Sequence, residues 1–190
     1  VFDCAFGDIW IRDTGPIFVI HDNELRALAF RFNGWGRKYL LDGDERLAER
    51  IAAFEKTDLE RHFWTLEGGS IESDGEGTII ATKSGALNPN RNPVLLQKDV
   101  EHRFNSALGA ARIIWLECGL AEDFTDCRVD NLARFVAPNH VMVMEARGRS
   151  DPNHALYRST IKTLEKACLD ITVIPSPGRI EDENGVILPG

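Results

Sequence analysis

One order of elements recurs three times along the chain, and this repetition constrains the fold more than any single motif. Two short apolar runs surround a turn, an amphipathic segment follows, and a third apolar run closes the unit. In the first unit, residues 17–20 and 25–32 flank His21-Asp22-Asn23-Glu24, which has the composition of a hairpin turn. Residues 42–54 then read as a helix, with Asp42 or Asp44 as cap and Leu47, Ile51 and Phe54 on one face. Residues 62–66 read as the strand that follows. In the second unit, residues 70–73 and 78–82 surround Asp74-Gly75-Glu76-Gly77, residues 97–108 read as a helix, and 112–116 as a strand. The third runs through strands at 132–136 and 141–145 around Pro138-Asn139, a helix over 153–168 and a strand at 171–174.

The repeat is about 55 residues long, too short to bury its own apolar faces, so each unit must pack on its neighbours. Periodicity alone leaves two α/β arrangements open: repeats packed radially with loops at a common centre, or an ordinary mixed sheet with three similar crossovers.

Charge and cysteine usage narrow the function. Thirty Asp and Glu against 22 Lys and Arg give a formal net charge of −8, which opposes phosphate backbones and acidic membranes and attracts a small cation. Neither a nucleic acid nor a membrane is expected as partner. Cys4, Cys118, Cys127 and Cys168 are widely spread with no C-x-x-C spacing, which fits a reducing, cytoplasmic setting. No stretch reaches the ~18 apolar residues of a membrane span, and no signal peptide is legible. The chain opens on Val1-Phe2-Asp3 without Met and closes in apolar sequence, so both ends are expected to be cut. A partial chain of this kind is expected to pair with another copy or with further modules.

Three polar segments occupy equivalent places outside the strands: 7–16, 66–70 and 125–131. Each brings a carboxylate beside turn formers, so Asp13, Glu67 and Asp130 are expected to face one cavity. Carboxylates in that arrangement suit a planar guanidinium, whose rigid fork of N–H donors they grip bidentately. Trp10 offers a face for the same cation, and Trp35, in Asn33-Gly34-Trp35-Gly36, offers a pocket wall. Residues 87–93 read as Asx turns that satisfy their own backbone, or as polar contacts to a pocket. The five histidines share no ligand spacing, and Gly75-x-Gly77 leads into a strand where a phosphate fingerprint needs a helix. No metal and no cofactor is implied. Cys127 has a cationic neighbour in Arg128 but no local base, and reads as incidental.

Taken in order, these segments resemble the agmatine deiminase and bacterial-type peptidylarginine deiminase family of the guanidine-modifying superfamily. The match is carried by Asp8-Ile9-Trp10-Ile11-Arg12-Asp13-Thr14-Gly15-Pro16, Phe32-Asn33-Gly34-Trp35-Gly36, Leu66-Glu67-Gly68-Gly69-Ser70-Ile71, Leu87-Asn88-Pro89-Asn90-Arg91-Asn92-Pro93 and Val129-Asp130-Asn131. The resemblance implies an α/β propeller of five ββαβ modules around a pseudo-fivefold axis. This chain would supply three of them, at about 1–66, 67–130 and 131–190, which resolves the two arrangements in favour of radial packing.

It also implies hydrolytic deimination of a small-molecule guanidine, agmatine or an arginine-like compound. A cysteine attacks the guanidinium carbon, ammonia leaves, and water cleaves the thiouronium adduct to a ureido product. By motif position Asp13 and Asp130 would hold the guanidinium nitrogens, and Glu67 would sit beside the reacting carbon with a histidine. Two departures point to an inactive chain. The family's glycine-histidine-x-aspartate reads Cys127-Arg128-Val129-Asp130 here, so the proton-transfer position holds an arginine that stays charged at neutral pH. None of the four cysteines occupies the glycine-rich context of the family's nucleophile.

Overall fold

Asp22 and Asn23 both adopt left-handed backbone angles, φ 49° and 65°, and that pair closes the first hairpin in the sense that suits twisted strands. It joins β1, Ile17–His21, to β2, Glu24–Arg31, antiparallel with Ile17 opposite Leu28 and His21 opposite Glu24. The chain crosses over through α1, Leu47–Glu55, and returns as β3, Asp58–Thr65, parallel to β2.

The second run repeats this. β4, Ile71–Ser73, and β5, Thr78–Thr82, form an antiparallel hairpin, α2 spans Gln97–Leu108, and β6, Arg112–Leu116, lies parallel to β5. In the hairpin turn Gly75 and Gly77 take φ 77° and 93°, while Asp74 Oδ1 accepts from the N–H groups of Glu76 and Thr78. The third run has β7, Ala133–Ala137, and β8, His140–Glu145, around a left-handed Asn139, then α3, His154–Lys166, and β9, Asp170–Pro175, parallel to β8. A last antiparallel pair joins β10, Ile180–Glu181, to β11, Ile187–Leu188. The repeated ββαβ order is therefore present as three small mixed sheets.

The computed structural model describes residues 3–120, 123–126, 128–183, 185, 187 and 188. Cys127 lies outside the described residues. Among the described residues no helix is long and apolar enough to cross a membrane.

Three sequence expectations need correction. Asp44 does not cap α1; it is buried and its Oδ1 accepts from the N–H groups of Gly7 (2.7 Å) and Asp8 (3.1 Å), a long-range tie on the amino-terminal segment. Phe54 is not on the buried face of α1; Leu47, Ala48 and Ala52 are, and Phe54 is exposed. β3 starts at Asp58, earlier than position 62, because the mostly polar stretch Asp58 to Arg61 still pairs with Arg26 to Ala29.

The chain packs as two compact units. One comprises Val1–Gly69 with Asn88–Leu108, the other Ser70–Leu87 with Gly109–Gly190. In the first, the fully buried Phe104 of α2 lies 6.0 Å from the ring of Trp64 on β3. In the second, Ile80, Leu116, Val141, Tyr157 and Leu164 form a continuous apolar core between strands and α3. Burying each such side chain contributes about 1.5–3 kcal/mol.

Candidate functional site

Asp13 sits in a single helical turn, Ile11–Thr14, closed at its end by Gly15 N–H donating to the Ile11 carbonyl at 2.8 Å. Pro16 follows at once, so the turn cannot extend. The carboxylate is 3% exposed, and each oxygen has a named donor: Gly69 N–H to Oδ1 at 2.9 Å, and Trp35 Nε1–H to Oδ2 at 3.1 Å. Trp10, next in the same motif, has its ring exposed; its carbonyl accepts from the N–H groups of Asp13 and Thr14.

Trp35 reaches Asp13 from an uncommon backbone. Gly34, Trp35, Gly36 and Arg37 have φ of 66°, 51°, 77° and 72°, four consecutive left-handed residues. For L-residues that conformation costs roughly 1–2 kcal/mol each, so two non-glycine members mark a segment that its surroundings must hold. Those surroundings are on hand. Asn33 Oδ1 accepts from Gly36 N–H at 2.9 Å, and Phe32 and Tyr39 meet the indole edge-on at 4.9 Å and 6.0 Å. Trp35 is thus a buried brace for Asp13, where the sequence suggested a pocket wall.

Glu67 stands where the chain leaves β3. It is 1% exposed, and Arg91 Nε donates to its Oε1 at 2.9 Å. A buried carboxylate needs such a partner. Gly68 lets this loop meet the Asp13 turn: a Cβ there would lie 2.1 Å from the Arg12 carbonyl oxygen. The sequence allows 87–93 as Asx turns or as polar contacts to a pocket, and Arg91 is instead the buried partner of Glu67. Asn88 does form such a turn, accepting from Asn90 N–H at 3.1 Å, but Asn92 reaches out, exchanging two bonds with the backbone of Thr65.

In the second unit Arg128 and Asp130 form an ion pair at 3.5 Å, both largely buried. Asp123 organises their loop, accepting from the backbone N–H of Thr125 and of Arg128 and from Asn131 Nδ2. Asp123 was missed from sequence; its Asp-x-Thr spacing, as in an Asx turn, was the available signal.

A cleft of about 720 Å³ opens in the first unit, lined by Arg31, Arg37, Arg91, Asn33, Asn90 and Thr65 among others. Three guanidinium groups on its walls disfavour a cation, so size alone does not mark the place where Asp13 or Glu67 would receive one. Among the described residues, no group of three His, Cys, Asp or Glu side chains is placed to hold a metal ion.

The profile of the Porphyromonas-type peptidyl-arginine deiminase family matches residues 1–189. The chain belongs to this family. Agmatine deiminase of Stutzerimonas stutzeri is 40% identical over 194 residues, which cover 94% of this chain and 52% of that protein. A Cys-to-Ser variant of C. jejuni agmatine deiminase, solved with substrate bound, superposes with a TM-score of 0.92 at 32% identity over 99% of this chain and 57% of that one. The agmatine deiminase of Enterococcus faecalis gives a TM-score of 0.83 at 28% identity, over 95% of this chain and 56% of its own. The chain thus spans about half the length of the relatives it matches. Within this deiminase family frame, Asp13 is bonded to Trp35 and Glu67 to Arg91 in one unit, and Arg128 is paired with Asp130 in the other.

Proposed function

We propose that this chain is part of an agmatine deiminase-like hydrolase, three of five ββαβ modules of a pseudo-fivefold propeller, with a guanidinium site built on Asp13, Glu67 and Asp130. In this reading Asp13 and Asp130 hold the guanidinium nitrogens, and Glu67 orients the reacting carbon and handles protons. The parent reaction is agmatine plus water to N-carbamoylputrescine plus ammonia. The observation that carries the reading is the fixed orientation of Asp13, a buried carboxylate held from two sides by Gly69 N–H and Trp35 Nε1–H. Family membership and relatives described as agmatine deiminases support the substrate class.

A second reading, a guanidinium binder without turnover, is favoured by Arg128. It stands at the proton-transfer position and pairs with Asp130, one of the carboxylates meant for the substrate. A guanidinium keeps its proton at neutral pH and repels a second cation. The two readings part in one experiment: titration calorimetry of agmatine into the purified protein, with ammonia release followed in parallel. We expect saturable binding, lost in Asp13→Asn, and ammonia release at background. Sustained release would restore the hydrolase reading for this chain, and absence of a saturable signal would remove the site.

A further inference from the structure

Two loops of the first unit meet in a clasp. Asn33 Nδ2 donates to the Asn90 carbonyl at 2.9 Å, and the same Asn33 holds the left-handed turn by accepting from Gly36 N–H. Gly36 lies so close to the second loop that a Cβ would be 2.3 Å from Asn90 Nδ2 and 3.0 Å from Arg91 Nη1. Asn90 Oδ1 in turn accepts from Arg91 Nη1 at 2.9 Å. Each loop sends one buried side chain to a different carboxylate: Trp35 to Asp13, Arg91 to Glu67.

We propose that the interlocked loops 33–37 and 88–93 act as one positioning device, so that Trp35 and Arg91 set the orientations of Asp13 and Glu67 jointly. Both are positioning residues, since they act through the carboxylates. The inference rests on the function proposed above only for the ligand that reads it out. Three features point to joint action. The turn at 34–37 is strained in isolation and so depends on what clamps it. Its clamp, Asn33, is the same side chain that grips the other loop. Arg91, finally, is held by the loop residue against which Gly36 packs, so movement of either loop must displace both Nε1–H of Trp35 and Nε–H of Arg91. Bonds that share partners in this way do not contribute independently.

The test uses two readouts on the purified protein. In the nitrogen-15 spectrum, the Trp35 indole N–H is assigned by its loss in Trp35→Phe. The device requires that resonance to shift in Arg91→Lys, although residue 91 belongs to the other loop, and also in Asn33→Ala, which keeps both buried anchors and guards against misfolding of the first variant. Agmatine affinity is then measured in a double-mutant cycle of Trp35→Phe and Arg91→Lys. We expect each single change to weaken binding about fivefold or more, and the double change to weaken it by clearly less than the product of the two. An unmoved indole resonance in both Arg91→Lys and Asn33→Ala overturns the proposal, as does a cycle in which the two effects multiply. If the unmodified protein binds no agmatine, the functional reading falls, while the clasp is still decided by the indole resonance.

Discussion

Arg91 and Glu67 form a buried ion pair, 2.9 Å from Nε to Oε1, with each side chain only 2% exposed. Removing one partner leaves a buried charge without the opposite charge that offsets its lost hydration, a larger loss than the net value of the pair. Arg91→Ala is therefore expected to destabilise the protein by about 3–5 kcal/mol. Urea denaturation of the variant beside the parent measures it; a change under about 1 kcal/mol would mean that water reaches Glu67 readily.

Gly36 and Gly75 share a φ of 77°, but only Gly36 is crowded; nothing lies within 4 Å of a Cβ at Gly75. Gly75→Ala should show the backbone penalty alone, roughly 1 kcal/mol. Gly36→Ala should cost at least about 1 kcal/mol more, since Asn90 can make room only by leaving Arg91. Comparing the two denaturation midpoints isolates the contact; equal losses would show that the loops yield freely.

Burial pushes the His62 imidazole below its ordinary value, against a smaller upward pull from Glu60, and the ring stacks on Phe30 at 4.7 Å. The unfolded state, with its pKa near 6.5, then binds a proton more readily than the folded one. Stability contributed here is complete above about pH 6.5 and declines as pH falls through the folded value. His62→Phe should flatten that part of the melting temperature's pH profile between about pH 7.5 and 5.5. An unchanged slope would assign the acid sensitivity to other groups.

Arg128 holds the Asp130 carboxylate at 3.5 Å. Replacing it with histidine removes a fixed positive charge from the proposed guanidinium site, and agmatine should bind roughly tenfold tighter at pH 8, equivalent to about 1.4 kcal/mol. Calorimetry at pH 8, where histidine is largely neutral, reads this directly. Unchanged or weaker affinity would show that Arg128 does not compete with the ligand.

What the sequence made legible was local. Turns at Asp22-Asn23, Asp74 to Gly77 and Pro138-Asn139 follow from residues that tolerate left-handed angles, and α2 and β6 have the limits their periodicity indicates. The roles of Asp44 and Arg91 were hidden because they act on partners 36 or 37 and 24 residues away; Asp123 had only the Asp-x-Thr signal for its bond to Thr125, and its reach to Arg128 and Asn131 depends on the folded loop. Trp35 was legible as an aromatic in a glycine-rich loop, but its inward orientation depends on a left-handed turn that only packing against Asn33 and Asn90 sustains.

Each three-stranded sheet is an antiparallel hairpin joined by a parallel third strand, and this sets a timetable during synthesis. The hairpin closes over a turn of two to four residues as soon as it emerges, within microseconds. Its parallel partner is not yet made, because a crossover with its helix must be translated first, at about 5–20 residues per second. For a second or more the open edges of β2, β5 and β8 stand without their neighbours, and short hairpins are marginal alone. The nascent chain thus passes three windows of exposure, one per three-stranded sheet, in which a chaperone or a wrong strand competes for an edge that the next segment is destined to cover.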